Sequence, residues 1–256
     1  MMAAIFFRSK NSESESNSVK PYFIRVRNWK IRNMVMMYMD AHDQFKTCRR
    51  MLRKNLSLSF EKLKDISDIL FTIKEDHHLI FKRLVDPEKG KYEKSHKIMP
   101  NEIETEFMNN IGLLFHKVMV TRELKYLMEN YVEDSEAFHR SSENLQYHLN
   151  RIDELFARGT EIIKTLLKRY NDNILLLSSL LEDPLRVKKH FGMDVNALLA
   201  EFADGRGVDD LYFQVGKYCS DNGWQDKAQK MLRETLARNP AHSKARSELE
   251  KLGSKT

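Results

Sequence analysis

The stretch SEAFHRSSENLQYHLNRIDELFARGTEIIKTLLKRYNDNILLLSSLLE, residues 135–182, decides the fold. Leu149, Phe156, Ile163, Tyr170 and Leu177 recur at every seventh position, and Leu145, Ile152, Leu167, Ile174 and Leu181 lie three or four residues from them. That spacing lines up an apolar stripe on one face of an α-helix. At about 1.5 Å per residue an unbroken helix would run roughly 70 Å, beyond the usual length, so Gly159 or the cluster Asn171-Asp172-Asn173 is expected to bend or break it. The stripe must be covered by other helices. The pattern leaves open whether they come from this chain or from a second copy in a homodimer.

Working outward, the preceding sequence supplies three helical patterns. The first starts near Asp40, a capping residue, and carries Ala41, Phe45, Cys48, Leu52 and Leu56. The second spans about 59–85, with Phe60, Leu63, Ile66, Leu70, Ile73, Ile80 and Leu84 on one face, and Asp86-Pro87 ends it. A polar connection to Pro100 follows. The third helix carries Ile103, Phe107, Ile111, Leu114 and Val118, then Leu124, Leu127, Met128 and Tyr131, and its acidic start at Glu102, Glu104 and Glu106 suits a helix N-terminus. Pro184 closes the long segment, and Asp194 and Gly205 frame a short helix over 195–203. The expected class is all-α: an elongated helical bundle or antiparallel coiled coil over 40–183, followed by a helical module over 194–252.

Composition agrees. The 256 residues are 41% hydrophobic and 31% charged, with nine Gly and five Pro, a balance that favours long helices over turn-rich sheets. No run approaches the roughly 20 apolar residues that a membrane span needs. MMAAIFFRSK has its apolar residues before its basic ones and no export-type apolar core, so a cleaved signal is not expected. Two distant cysteines, Cys48 and Cys219, suit a reducing, cytoplasmic setting.

The net charge of +6 is uneven: residues 1–55 hold twelve Lys or Arg against four Asp or Glu, so they carry +8 and the remainder nets −2. Residues 1–39 are read as a disordered or weakly structured basic tail, Ser-rich over 8–20. Met34, Met36, Met37 and Met39 crowd just before the first clear helix signal, as if translation began there. Within the tail, Lys20, Arg25, Arg27, Lys30 and Arg32 alternate with apolar residues that include Trp29, a composition suited to an anionic membrane surface or to nucleic acid.

Residues 209–252 read as helix, turn, helix, turn, helix, with Asp209 as a cap, Gly223 in the first turn and Asn239-Pro240 in the second. Residues 209–242 resemble a tetratricopeptide repeat: Tyr212, Val215 and Gly216 open the pattern, and Ala228, Leu232, Leu236 and Pro240 complete it. Cys219 stands where the repeat usually has Tyr, and Thr235 where it has a small Ala. The resemblance implies two antiparallel helices crossing closely at Gly216 and Ala228, and a face that grips a partner protein, with Tyr212, Gln214, Lys217 and Tyr218 as candidates. The resulting expectation is a non-enzymatic adaptor or scaffold without cofactor or metal.

Catalytic and metal chemistry find little support in spacing. His77, His78, His116, His139, and His148 with Asp153 are the pieces of a metal-binding four-helix bundle, but His116 has Val120 one turn on, and His139 and His148 are nine residues apart. Neither a Gly-rich phosphate loop nor a nucleophile elbow is present. Cys48 beside Lys46, Arg49 and Arg50 is read as packing rather than as a reactive thiol.

Overall fold

The computed structural model describes residues 21–52, 54–82, 102–130, 135–203 and 205–253. They form ten α-helices and no strand: α1 Pro21–Met51, α2 Leu56–Lys82, α3 Glu102–Asn130, α4 Ser135–Arg169, α5 Ile174–Glu182, α6 Pro184–Phe191, α7 Val195–Phe202, α8 Val208–Asp221, α9 Gln225–Arg238 and α10 Ser243–Gly253. The expected all-α class holds. No described helix is long and apolar enough to cross a membrane. The polar connection around residues 86–100 and the Ser-rich stretch lie outside the described residues.

The first four helices pack in order, α1 on α2, α2 on α3 and α3 on α4, with a lighter contact from α4 back to α1. The α4 stripe is covered within the chain: Leu149, Ile152, Phe156, Ile163 and Leu167 are buried. Tyr38 of α1 reaches across to donate to the Phe156 carbonyl at 2.6 Å, and its ring meets those of Phe107 and Phe156 at 5.6 and 5.5 Å. Asn110 of α3 donates to the Leu155 carbonyl at 3.0 Å. Gly159 is what lets these groups approach: a Cβ there would overlap the Tyr38 hydroxyl and lie 2.8 Å from Asn110 Oδ1. Gly159 therefore does not break the helix. The break falls at residues 170–173, where Asn173, fully buried, accepts from Leu176 N to cap α5 and donates to the Asn28 carbonyl of α1.

Three expectations are corrected. Residues 21–39 are not a weakly structured tail: α1 begins at Pro21, and Ile31, Met34, Val35, Tyr38 and Met39 are buried core. The positions 31, 34, 38, 41, 45 and 48 advance by threes and fours, so one stripe runs through what was read as tail and first helix. Because Ile31 lies upstream of Met34, the residues before the Met cluster contribute to the core. Asp40 is consequently no cap. It pairs with Arg186 of α6 from mid-helix.

The second correction is at the start of α2, three residues earlier than expected: Asn55 caps it by accepting from Leu58 N at 3.0 Å, and Ser59 is buried with its hydroxyl bonded back to the Asn55 carbonyl. The third is at the far end of α3. Leu127 is exposed and Leu124 half-buried, while Thr121, Lys125 and Met128 face the core.

Lys125 is 1% exposed, its ammonium without a hydrogen bond, 5.0 Å from the Phe60 ring and 3.9 Å from Glu129. Burial pushes its pKa down. Replacing a desolvated, poorly compensated charge by an apolar side chain of similar reach is stabilising. Lys125→Met is expected to raise the free energy of unfolding by about 1 kcal/mol, read as a higher urea midpoint at unchanged slope; a lower midpoint would show that the Glu129 contact outweighs desolvation.

The helix α5 is buried over most of its surface, with Leu176, Leu177, Leu180 and Leu181 covered together with Ser178 and Ser179. It packs on α1 and on α8. Arg32 of α1 donates to the Ser179 hydroxyl at 2.8 Å, fixing one side of it. The expected boundary near 183–194 thus falls beside a helix shared by both regions. Asp183 caps α6 and Asp194 caps α7. Gly192 (φ 72°) ends α6 in the left-handed conformation that glycine adopts without cost.

Candidate partner-binding surfaces

The α8–α9 hairpin turns at Asn222 and Gly223, the latter at φ 77°, and Asn222 Nδ2 donates to the Tyr218 carbonyl at 2.7 Å. Across the hairpin a Cβ on Gly216 would sit 2.9 Å from Leu232 Cγ and 3.2 Å from the Leu232 backbone nitrogen, so the two helices meet at the closest approach that glycine permits. Val215, Cys219, Ala228 and Leu232 are fully buried around that contact. Thr235 is buried as well, its hydroxyl satisfied by the Met231 carbonyl at 3.0 Å, which accounts for a hydroxyl at a position where a small residue is expected. Helix α10 then packs on both α9 and α8 through Ala245 and Leu252. Leu236 is half-buried, and Pro240 is exposed in the turn, its carbonyl accepting from Arg246 at 2.8 Å. Asp209 is not the cap expected of it: Gly207 holds that position without a side-chain bond, and Asp209 accepts from Asn239 Nδ2 at 2.8 Å.

Of the four residues proposed to grip a partner, Tyr212 does not belong with the others. It is 5% exposed, its hydroxyl donates to Asn196 of α7 at 2.8 Å, and the Arg238 guanidinium lies 4.1 Å above its ring. Gln214, Lys217 and Tyr218 are half-exposed and share one face of α8, with Asp221 paired to Lys217 one turn on. Trp224, which sequence reasoning passed over, joins them. It is 48% exposed, its ring is 5.7 Å from that of Tyr218, and the Lys227 ammonium lies 5.4 Å from it. A Trp directly after the Gly223 turn was the available signal.

The N-terminal basic patch is dismantled in part. Arg27 turns inward to the fully buried Glu104 at 2.8 Å and to the Tyr170 hydroxyl, and Arg32 is held by Ser179 and Asn33. What faces outward is Arg25, Trp29 and Lys30, the Lys30 ammonium 4.9 Å from the Trp29 ring. Lys20 lies outside the described residues.

A polar cluster joins α1 to α6. Asp43 accepts from Arg186 at 3.1 Å and from Lys189, and His190 Nε2 lies 3.2 Å from it. His42, the residue before Asp43, stacks on Phe156 at 4.6 Å and meets the His190 ring edge-on at 5.1 Å. Burial, with the charge of Lys46 second, pushes His42 down to about 3, and burial lowers His190 too. Burial alone would raise Asp43, but Lys189 and His190 outweigh it and hold the carboxyl at about 2. Both thiols are inert: burial lifts Cys48 and Cys219 to about 11.

Among the described residues, the histidines named for a bundle metal site form no group close enough to share an ion. His116 and His139 are exposed, Asp153 pairs with Arg49 rather than facing His148, and the side chains of His77 and His78 lie outside the description. Among the described residues the group close enough to share an ion is Asp209, Asp210 and His242. There His242 Nδ1 accepts from Ala245 N at 3.1 Å, which leaves the proton on Nε2, 3.4 Å from Asp210. A ring so used caps α10 and has no lone pair left for a metal.

Compared with known proteins, the chain matches no family model, no curated protein and no solved structure. Its class rests on the fold alone: an all-α protein whose described residues form four long helices followed by six short ones.

Proposed function

We propose that the protein is a non-enzymatic cytoplasmic adaptor whose C-terminal helices, a tetratricopeptide-type hairpin with flanking helices, bind another protein. The observation that carries this reading is the glycine-limited contact of Gly216 with Leu232, the packing such a repeat requires, beside a half-exposed face of Gln214, Lys217, Tyr218 and Trp224. Tyr and Trp are among the side chains that carry most of the energy of protein interfaces when they become covered. The test is native co-purification, identification of the partner, and reconstitution with purified components. Tyr218→Ala with Trp224→Ala is expected to weaken the reconstituted complex at least about tenfold while leaving helicity unchanged. Gly216→Val is expected to abolish it and to cost about 1–3 kcal/mol of stability, because the added side chain meets Leu232 backbone. Undiminished binding by both variants would remove the C-terminal module from the account.

A second reading, attachment to an anionic membrane or nucleic acid through the start of α1, rests on exposed Trp29 beside Lys30 and Arg25. It requires binding that weakens steeply with added salt. Salt-independent binding would dispose of it.

A further inference from the structure

A wide cleft of about 1360 Å³ opens at the end of the bundle where α1 gives way to α2, with the start of α4 as its opposite wall. Among the described residues five cations line it, Lys46, Arg49, Arg50, Lys54 and Lys189, and no carboxylate does. Two of the five are already engaged, Arg49 by Asp153 and Asn150, and Lys189 by Asp43. Among the described residues three are not: Lys46 and Lys54 make no hydrogen bond or ion pair there, and Arg50 bonds the Thr47 hydroxyl at 3.2 Å. Lys46 is half-buried, and burial together with the ammonium of Lys189 pushes its pKa down against the opposing pull of Asp43, so positive charge is held close here. The remaining lining is part aliphatic, from Leu52, Leu56, Met128, Leu145 and Leu149, and part uncharged polar, from Asn55, Ser57, Ser142 and Gln146.

We propose that this cleft binds an acidic amphipathic helix of a partner protein, its carboxylates on Lys46, Arg50 and Lys54 and its apolar side chains on the aliphatic floor. Three observations favour that occupant over other anions. The volume exceeds the roughly 300–1,000 Å³ of small-molecule pockets. No aromatic ring lines the cleft, whereas single-stranded nucleic acid is held by stacking. The walls are concave between helices, whereas a bilayer is met by a flat or convex amphipathic face. An apolar floor rimmed by charge is the groove into which an amphipathic helix lays its apolar side. The site is independent of the α8–α9 hairpin.

The test uses the full chain and a fluorescein-labelled synthetic 18-residue helical peptide with Glu on one face and Leu on the other, followed by anisotropy. Two control peptides exchange Glu for Lys and Leu for Ser. Poly-uridylate and vesicles of phosphatidylserine and phosphatidylcholine serve as competitors. The Glu–Leu peptide is expected to bind at least about tenfold more tightly than either control, with affinity falling as salt rises. Lys46→Glu with Arg50→Glu is expected to lower that affinity at least about tenfold. Lys54→Glu, at an exposed position where folding is not at stake, is expected to lower it about threefold. Equal binding of the Ser-substituted peptide, displacement by poly-uridylate or vesicles at lower concentration than by unlabelled peptide, or undiminished binding by the Lys54→Glu variant would each overturn the proposal.

Discussion

Gly159→Ala is expected to destabilise the protein by about 2–3 kcal/mol, although alanine is the better helix former by about 1 kcal/mol. The new methyl group would overlap the Tyr38 hydroxyl and crowd Asn110 Oδ1, both buried between α1, α3 and α4. Tyr38 would have to withdraw, giving up its bond to the Phe156 carbonyl in a place no water reaches. The origin of the loss is separable. Tyr38→Phe removes the oxygen in the way, so the double variant is expected to be less destabilised than the sum of the single ones by at least about 1 kcal/mol. Urea unfolding of the four proteins measures this. Simple additivity, or a stabilised Gly159→Ala protein, would mean that the contact does not set the spacing of the bundle.

Acid is expected to unfold the protein well above the pH at which its carboxylates titrate. His42 and His190 are held neutral in the fold by burial, His42 with a pKa of about 3. In the unfolded chain they take up protons below their ordinary value of about 6.5. Their contribution to stability is therefore complete above pH 6.5 and falls as the pH drops below it, for His42 down to about 3. At pH 4.5, two units below the unfolded value, His42 alone accounts for about 2–3 kcal/mol. Asp43, held at about 2, adds a loss in the same direction between its ordinary range and pH 2. The groups facing the pair from α1 and α6 are Asp43, Lys46, Arg186 and Lys189, and three of these four are cationic. The melting temperature is expected to fall by roughly 5–10 °C between pH 7.5 and 4.5, and His42→Gln to reduce that fall by about half. A flat profile, or one His42→Gln leaves unchanged, would show that the rings are not kept neutral by the fold.

Much of this architecture was legible in the chain. The stripe through Leu149, Phe156 and Ile163 and the turn at Gly223 are local patterns, set by helical period and by a backbone conformation that favours glycine. What was hidden depends on neighbours distant in sequence. Arg27 and Arg32 read as solvated cations because Glu104, Tyr170 and Ser179 lie about 70–150 residues away. Without those partners the stripe from Ile31 through Phe45 was masked by the charges between its members. Gly159 offered two readings, a kink or a close approach, and only the position of Tyr38 chooses between them. Lys125 is a case where tertiary context overrides composition: Leu124 and Leu127 are the better core residues by type, yet the helix turns them outward. Of the cationic cleft the sequence showed only the local run of Lys46, Arg49 and Arg50; the walls that Ser142 and Lys189 add come from other helices.

The short helix α5 buries four leucines, and it lies between α1 and α8. An excision between residues 183 and 194 would leave leucines from a single two-turn segment with one neighbour missing, and such a fragment would self-associate rather than stay monodisperse. Melting would accordingly be one event for the whole polypeptide. A ligand that tightened the hairpin would protect amide hydrogens along the first helix from exchange, far from where it touched.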